Sequence, residues 1–470
     1  MRLKHLAVLC MLLAVALPSS AGAAVRMLVG FQDDPSFRWR DDRATTLDRV
    51  QSVNAQIIRT TVYWSKIAPT RPASARNPND SAYRFDDLDE LVTNAELRGM
   101  QVMLTIWGTP SWANGGRGQN FAPKNYTDLT NFAYAVSRRY SGVFPGIPPV
   151  GYFTVWNESN LGQFLSPQYD SKGKPLAPFI YGNLYRAAYA GIKAGNPRAL
   201  VGIGETSARG RDKALHAQGL SETESPGRFA QLLSTVRPKL RFDAWSQHPY
   251  PTTLTEKPTA NIRWPNVTLA QLPRFETSLD QWFGRKNIPI WITEYGYQTK
   301  PQQPQGVTYA QQSAYLRTAL TVARNDPRVQ MFIWFIFRDD PTSAWKSGLI
   351  QPDGAKKPSV FVFKALAQLL DGRDPVVNVK ARVKNPLVRI PLVEFRVRDG
   401  AGALVGSTVR AYLNGKLVGV AQPRTKLGID GWASFAVPVT TVAGRTYSVA
   451  VDINDAKGNR LTRTVTLIAK

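Results

Sequence analysis

Up to residue 340 the chain alternates between short apolar runs and longer segments in which apolar residues recur every three or four positions. The runs are almost continuously apolar, which is typical of strands buried on both faces of a parallel sheet. They predict strands at residues 25–31, 57–64, 101–107, 151–156, 200–204, 242–247, 289–293 and 329–337. Between them the helical period predicts amphipathic helices, among them 85–97, 128–140, 181–194, 227–236, 269–283 and 309–324.

This order of elements predicts a (β/α)8 barrel over residues 24–372, with residues 359–370 as its last helix. The alternative is an open, doubly wound sheet, in which a glycine-rich phosphate loop often follows the first strand. Here the first strand leads into Gly30-Phe31-Gln32-Asp33-Asp34, which is not such a loop. The sequence therefore favours the barrel.

The pattern changes after residue 372, where short β-rich runs replace the helical period. Asn414-Gly415 between residues 409–413 and 416–420 predicts a β-hairpin. We expect residues 373–470 to form an all-β, immunoglobulin-like sandwich. Its role is open between a passive spacer and a module that binds carbohydrate or cell wall. Trp432 is its only tryptophan, so no aromatic platform for sugar is evident.

The first 23 residues have the composition of a secretory signal peptide. Arg2 and Lys4 precede an apolar core at residues 6–17, and Ala21-Gly22-Ala23 provides a cleavage site. A membrane anchor is the alternative, but the apolar core is shorter than the ~20 residues that a span requires. We therefore expect secretion, to the extracellular space or the cell envelope, without stable insertion into a membrane.

Cysteine and histidine are too rare for several kinds of chemistry. Cys10 and His5 lie in the signal peptide, which leaves His216 and His248 in the mature chain. That excludes a disulfide, a thiolate nucleophile and a metal site made of several histidines or cysteines, so we expect neither metal nor cofactor. An esterase that uses serine and histidine is disfavoured because no Gly-x-Ser-x-Gly motif is present.

The formal net charge is +25, from 59 Lys and Arg against 34 Asp and Glu. From residue 374 onward there are 15 basic and 6 acidic residues. A nucleic-acid binder could have this balance, but the basic residues are scattered and form no nucleic-acid motif. We instead expect a monomer that meets carbohydrate, such as an acidic glycan or an anionic cell-wall polymer.

Two of the apolar runs end in a glutamate. Residues 150–158 end at Glu158 and residues 288–294 end at Glu294. In a barrel the carboxyl ends of all strands meet on one face. Two carboxylates delivered there from different strands are the residues that hydrolysis of a glycosidic bond requires. The same face would receive further polar and aromatic residues, namely Arg59, Trp107, Asn157, Glu205, His248, Tyr250 and Trp334, with Trp112 in a loop.

Several of these residues stand in ordered motifs that resemble a known group of enzymes. The motifs are Asn157-Glu158, His248-x-Tyr250, Thr293-Glu294-Tyr295-Gly296 and Trp334 on predicted strands 4, 6, 7 and 8. They resemble the clan A retaining glycoside hydrolases, among which cellulase-like family 5 and β-xylosidase-like family 39 are the most similar. The resemblance covers residues 25–370 and does not extend to the tail.

The resemblance implies a retaining β-glycosidase in which Glu158 is the acid/base and Glu294 the nucleophile. It further implies that Asn157 binds the 2-hydroxyl of the sugar, that Arg59 and Tyr250 orient Glu294, that His248 lines the site and that Trp334 floors the first subsite. Trp112 is a further candidate for sugar binding.

Less specific alternatives remain for several residues. Arg59 could be a structural ion-pair residue, His248 a core histidine, and Glu205 either a third site carboxylate or a structural acid. Asp33 and Asp34 are open between substrate contact and a turn. The whole barrel could also be a catalytically silent glycan-binding scaffold, although the presence of both glutamates argues against that.

Overall fold

The structure of the protein is a computed structural model that describes residues 27–371, apart from residues 145, 216–218, 220 and 344. In the tail it describes residues 377–384, 392–399, 408–414, 416–421, 432–438, 442, 444–454 and 460–468. The predicted signal peptide, His216 and the predicted domain boundary at 372/373 lie outside the described residues.

Eight parallel strands close into a barrel in chain order, because β1 pairs with β8 as well as with β2. The strands are β1 (Leu28–Gln32), β2 (Ile57–Tyr63), β3 (Gln101–Trp107), β4 (Tyr152–Val155), β5 (Leu200–Ser207), β6 (Ala244–His248), β7 (Ile290–Tyr295) and β8 (Val329–Phe335). Every predicted strand is confirmed, with ends that shift by a few residues. The closure excludes the open, doubly wound sheet.

Helices surround the barrel. They are α1 (Arg43–Ser52), α2 (Trp64–Ile67), α3 (Asp86–Leu97), α4 (Ser111–Asn114), α5 (Tyr126–Arg139), α6 (Ala177–Gly195), α7 (Pro226–Leu233), α8 (Leu272–Phe283), α9 (Tyr309–Asn325) and α10 (Pro358–Asp371). The predicted helices correspond to α3 and α5–α10. Helix α1 lacks a strong apolar stripe, since Thr46, Leu47 and Val50 are its buried residues, and the sequence pattern therefore did not predict it. No helix in the described part of the chain is long and apolar enough to cross a membrane.

The apolar core has two layers on opposite faces of the barrel wall. The large outer layer lies between the strands and the helices and includes Ile58, Phe332 and Trp334. A small inner cluster fills the barrel interior, and its members are Leu28, Ile57, Met103, Ala244, Trp291, Met331 and Ile333. Successive strand residues alternate between these layers. The inner cluster forms an apolar plug beneath the carboxyl ends of the strands.

The described part of the tail consists of seven antiparallel strands in two sheets. They are β9 (Val377–Lys384), β10 (Leu392–Asp399), β11 (Thr408–Leu413), β12 (Lys416–Ala421), β13 (Trp432–Pro438), β14 (Thr446–Asn454) and β15 (Arg460–Ile468). One sheet has the order β13-β10-β9 and the other β12-β11-β14-β15. The predicted hairpin is present, since β11 pairs with β12 and Leu413 lies opposite Lys416. The immunoglobulin-like arrangement stays a prediction.

Close packing of β1 against β2 gives a test of the barrel. A Cβ atom added to Gly30 would lie 1.7 Å from the carbonyl oxygen of Ile57, so an alanine there must push the two strands apart. We expect Gly30→Ala to destabilise the fold by more than the ~1–3 kcal/mol of ordinary overpacking. Thermal unfolding monitored by circular dichroism measures this as a lowered Tm.

Gly151→Ala is the matched control, because no atom lies within 4 Å of a Cβ added to Gly151, which directly precedes β4. It should change the stability by no more than about 0.5 kcal/mol. Equal melting temperatures for the two variants would contradict the close strand packing described for Gly30.

Candidate active site

Polar side chains replace the apolar plug at the carboxyl ends of the strands. Arg59 lies two residues after the inward-facing Ile57 on β2, and His248 lies four residues after the inward-facing Ala244, at the end of β6. Both positions therefore face the barrel interior. Both are fully buried. Arg59 Nε donates to Thr105 Oγ1 at 3.0 Å, and Thr105 Oγ1 lies 2.7 Å from Thr154 Oγ1. The site is thus built on a hydrogen-bonded layer that spans β2, β3 and β4.

Two β-bulges bring glutamates into this layer. The pairing of β5 with β6 shifts between Gly204 and Thr206, around Glu205. The pairing of β7 with β8 shifts between Ile292 and Tyr295, around Glu294. A bulge interrupts the strict alternation of a strand and re-aims a side chain, and bulges are common next to active sites. They explain how acids at these positions enter the polar layer.

Backbone strain accompanies the site. Trp156, Glu158 and Glu205 have φ values of 70°, 37° and 47°, in the left-handed region that non-glycine residues rarely occupy. Each such residue costs on the order of 1–3 kcal/mol and persists only where the surrounding structure holds it. Residues of this kind cluster at functional sites, which here are the ends of β4 and β5.

Arg59 is the centre of a buried ion-pair network. Its Nη1 lies 2.6 Å from Oε1 of Glu294, and its Nη2 lies 2.6 Å from Oε2 of Glu205. Nη2 also donates to Oδ1 of Asn157 at 3.1 Å, and Nη1 donates to the side chain of Gln32. One guanidinium therefore joins two carboxylates from different strands.

His248 is the second bridging group. Its Nδ1 lies 3.1 Å from Oε1 of Glu158 and 3.6 Å from Oε2 of Glu294, and its Nε2 lies 3.0 Å from Oε2 of Glu205. Burial alone would lower the pKa of His248, but the charge of Glu294 and the hydrogen bonds to Glu158 and Glu205 raise it to about 10. The imidazole is thus protonated at neutral pH, and both of its N–H groups donate.

The three glutamates have different environments. Burial is the largest influence on Glu158 and raises its pKa, while the hydrogen bond and charge of His248 act in the opposite direction. Burial would also raise the pKa of Glu205, but Arg59 and His248 outweigh it and lower that pKa to about 2. Glu294 accepts hydrogen bonds from Arg59 Nη1 at 2.6 Å and from the hydroxyl of Tyr250 at 3.1 Å.

A cleft of about 1500 Å³ opens above these residues. Glu158, Glu294, Asn157 and Tyr250 are among its lining residues. The side chains of Glu158 and Glu294 are 13% and 10% exposed, so both carboxylates reach the cleft from an otherwise buried layer. Such a volume exceeds that of a typical small-ligand pocket.

Arg59 contacts Glu294, as the resemblance implies, but four candidate residues do not line the cleft. Arg59 and His248 do not line the cleft, because they lie fully buried behind the carboxylates. Trp334 is also fully buried, faces the outer layer and donates its indole N–H to the carbonyl of Ser347 at 2.8 Å. Trp112 packs edge-on against Trp64 and lies outside the cleft lining. Arg59 and His248 thus contact the carboxylates of the site, while Trp334 and Trp112 pack within the surrounding structure.

Other aromatic residues line the cleft instead. Trp107 packs against Tyr63 and Phe164 with ring centroids 5.8 and 5.9 Å apart. Trp345 and Phe335 also line the cleft, with ring centroids 5.9 Å apart. The alternation of β8 contains the missed signal, since Met331 and Ile333 face inward and Phe335 continues that series. The same parity on β3 places Met103 and Trp107 on the inward face.

Two undecided acids have local structural roles. Asp33 accepts hydrogen bonds from the amides of Ser36 at 3.2 Å and Arg338 at 2.9 Å. Asp34 accepts one from the hydroxyl of Thr60 at 2.5 Å. Neither lines the cleft, which favours the turn over substrate contact.

Glu158, His248 and Glu294 could by spacing alone hold a metal ion, because one ligand atom of each lies within 4.8 Å of the others. Their chemistry does not fit that role well. A metal requires a neutral imidazole, whereas the carboxylates around His248 raise its pKa to about 10. The guanidinium of Arg59, 2.6 Å from Glu294, adds a fixed positive charge beside the same position.

Comparison with known proteins agrees with this architecture. The sequence matches the family model of the cellulases, glycosyl hydrolase family 5, over residues 22–337. No curated protein matches the sequence.

Among solved structures, a family 39 glycoside hydrolase from Bacteroides cellulosilyticus WH2 aligns with a TM-score of 0.53 and 17% identity over 88% of this chain and 80% of that chain. The GH5_18 protein from Streptomyces cattleya in complex with GlcNAc aligns with a TM-score of 0.54 and 16% identity over 75% of this chain and 82% of that one. At such identities these likenesses establish the shared fold. The family model spans about two thirds of the sequence, including all eight barrel strands, and the chain therefore belongs to the cellulase family of glycoside hydrolases, family 5.

Proposed function

We propose that the protein is a retaining β-glycosidase that acts on an oligo- or polysaccharide by double displacement. The observation that carries this proposal is the spacing of two cleft carboxylates, since one oxygen of Glu158 and one of Glu294 lie within 4.8 Å of each other. Retaining enzymes hold their carboxyl groups about 5–5.5 Å apart, whereas inverting enzymes need ~6.5–9.5 Å to admit a water. The spacing supports retention.

Glu294 is the proposed nucleophile. Arg59 and Tyr250 donate to its two oxygens, Oε1 at 2.6 Å and Oε2 at 3.1 Å, and so hold the carboxylate in one orientation. The hydrogen bond from the guanidinium is charge-assisted and therefore one of the strong kind. Glu294 attacks the anomeric carbon and displaces the leaving oxygen.

Glu158 is the proposed acid/base. Because burial raises its pKa, it holds a proton to a higher pH than an ordinary glutamate and can donate it to the departing oxygen. The leaving group takes that proton, and Glu294 becomes esterified to the sugar. Glu158, now ionised, then removes a proton from an incoming water, which hydrolyses the ester and restores both residues.

Charge balance in the buried layer supports this division of roles. Arg59 and His248 contribute two positive charges, and ionised Glu205 and Glu294 balance them. A proton on Glu158 keeps the layer neutral. When Glu294 is esterified it loses its charge, and the ionised Glu158 replaces it, so the layer stays neutral in both halves of the reaction.

Asn157 is the proposed contact to the sugar hydroxyl next to the reacting carbon. Its Oδ1 accepts from Arg59 at 3.1 Å, which fixes the amide and directs its NH₂ group away from the guanidinium. The residue lines the cleft beside Glu158. This position suits the 2-hydroxyl, whose hydrogen bonds strengthen in the transition state of glycoside hydrolysis.

We further propose that the enzyme is secreted, on the composition of residues 1–23, and that it acts as a monomer. An acidic glycan or a cell-wall polymer is the proposed partner, because the net charge is +25. The tail is proposed to be an immunoglobulin-like accessory module, supported by the two antiparallel sheets of its described strands.

Variants of the two glutamates test the assignment. We expect Glu294→Gln to lose activity on every aryl β-glycoside, because no nucleophile remains. Glu158→Ala should lose roughly 10²–10⁴-fold on substrates with poor leaving groups but much less on dinitrophenyl glycosides, whose leaving group needs no proton. Azide should rescue Glu158→Ala, and NMR of the first product should show the anomer of the substrate.

Glu224→Gln is the matched control. Glu224 is a buried carboxyl outside the cleft lining, and burial raises its pKa to about 8, so the neutral amide closely resembles its protonated form. Its activity should match that of the wild type. A wild type as inert as Glu294→Gln on a broad panel of sugars would support the silent scaffold, and an inverted product would reject double displacement.

The charge on His248 predicts a pH dependence of stability. The folded-state pKa of about 10 lies above the ~6.5 of an unfolded histidine. Its stabilising contribution is therefore complete below pH ~6.5 and is lost as the pH rises toward 10, with a slope of at most ~1.4 kcal/mol per pH unit. Urea unfolding of wild type and His248→Asn should show a difference in stability that shrinks over this range.

Arg317→Gln is the control for that experiment, because Arg317 is exposed on α9 and lies outside the cleft. Its stability should run parallel to that of the wild type across the same pH range. A constant difference between wild type and His248→Asn from pH 6.5 to 10 would mean that His248 is not protonated in the folded protein.

A further inference from the structure

One wall of the cleft contains three arginines that the proposed mechanism does not use. Arg209 and Arg211 lie in the loop after β5, and Arg263 lies in the loop after β6. All three are exposed and line the cleft. Together we call them the arginine wall.

Backbone contacts hold the two loops of the arginine wall together. The amide of Val267 donates to the carbonyl of Ala208 at 2.8 Å, and the amide of Gly210 donates to Asn266 Oδ1 at 2.8 Å. Gly210 packs so closely that an added Cβ would lie 2.0 Å from the backbone of Glu224. The arginines thus project from a fixed backbone, which lowers the entropy lost on binding a ligand.

No described acid forms an ion pair with the arginine wall. The side chains of Arg211 and Arg263 make neither an ion pair nor a hydrogen bond with a described residue, and Arg209 donates to the backbone carbonyl of Thr252. The neighbouring acids have other partners, since Asp212 accepts from the amide of Ser225 and Glu222 from the amide of Leu215, each at 2.8 Å.

The charged residues of the cleft therefore divide into two groups. Among the described residues that line it, the acids are Glu158 and Glu294, and every other charged residue belongs to the arginine wall. A neutral sugar needs hydrogen bonds and stacking but no such excess of positive charge. Guanidinium groups bind carboxylate and sulfate with paired, charge-assisted hydrogen bonds.

Two short series of contacts link the arginine wall to the catalytic pair. Arg209 contacts Thr252, which is two residues beyond Tyr250, and the hydroxyl of Tyr250 donates to Glu294 at 3.1 Å. On the other side of the loop, Ser207 and Asn160 exchange hydrogen bonds of 2.8 and 3.4 Å, and Asn160 is two residues from Glu158. Because the wall and both glutamates line one cleft, a sugar bound at the wall would belong to the same oligosaccharide as the sugar at Glu158 and Glu294.

We propose that Arg209, Arg211 and Arg263 form an anion-binding subsite that selects a substrate with an acidic sugar in the same oligosaccharide as the cleaved bond. The acidic group is a carboxylate, as in a uronic acid, or a sulfate ester. This inference rests on the proposed function for the position of the bond, but the anion site itself does not depend on catalysis.

Calorimetric binding to the full chain, made inactive by Glu294→Gln, tests the subsite without turnover. The probes are tetragalacturonate, a xylotriose that bears one glucuronic acid, a sulfated chondroitin tetrasaccharide, and the neutral xylotetraose and cellotetraose. We expect at least one acidic probe to bind more tightly than both neutral ones, with an affinity that falls as salt rises. The carboxylated and sulfated probes distinguish the two sources of the anion.

The triple variant Arg209→Gln, Arg211→Gln, Arg263→Gln should weaken binding of that acidic probe roughly tenfold or more, and the corresponding lysine variant should recover part of the loss. The control triple Arg49→Gln, Arg317→Gln, Arg324→Gln removes the same charge from helices α1 and α9, outside the cleft lining, and should bind like the parent. Melting temperatures verify that all variants fold.

Equal affinity for acidic and neutral probes, or equal losses in the two glutamine triples, would overturn the subsite. The outcome for the proposed function is separate. If the wild type hydrolyses neutral glycosides while the arginine wall has no effect, the subsite alone fails. If the wall binds an anionic sugar but the wild type cleaves no glycoside, the subsite stands and the proposed function fails.

Discussion

The buried guanidinium of Arg59 is the interaction on which the rest of the site depends. A charge without water around it is tolerated only where opposite charges and hydrogen-bond partners surround it. Arg59 meets this condition through Glu205 and Glu294, both at 2.6 Å, and through Gln32, Thr105 and Asn157. These partners come from β1, β3, β5, β7 and the end of β4, so one side chain fixes the relative position of most of the strand ends.

Glu205 is the constant part of this network. Glu158 and Glu294 exchange charge during the proposed reaction, whereas Glu205 contacts both cations and has a pKa lowered to about 2. Its contacts with Arg59 and His248 do not depend on Glu294 and hold both cations in place. The sequence left open whether Glu205 is a site carboxylate or a structural acid, and its contacts with Arg59 and His248 place it in the buried layer behind the cleft.

The strands and most helices were predictable because burial on both faces leaves continuous apolar runs, and an amphipathic helix leaves a clear period. Because residues on both faces of such a strand are apolar, the sequence does not show which of them face the barrel interior. Trp334 and Phe335 are neighbours in an apolar run, and the structure shows that Phe335 lines the cleft while Trp334 packs in the outer layer. Sequence parity also fails at Glu205 and Glu294, since the bulges that re-aim them depend on register with neighbouring strands. The order of the motifs along the chain located the glutamates, because that order does not depend on which face of a strand a residue occupies.

The protein has two groups of charged residues, one buried and electrically balanced, the other exposed and unbalanced. In the buried layer cations and anions balance, water is largely absent, and the low dielectric makes each contact strong but sensitive to the loss of any partner. Along the arginine wall the positive charge is unbalanced and exposed to water. Each guanidinium therefore carries little desolvation cost and can bind an anion. Added salt screens exposed charges much more than buried ones. Anion binding at the wall should therefore weaken as salt rises. The protonation of Glu158 and His248 should change little, because it depends on buried contacts of about 3 Å between His248 and the carboxylates of Glu158 and Glu205.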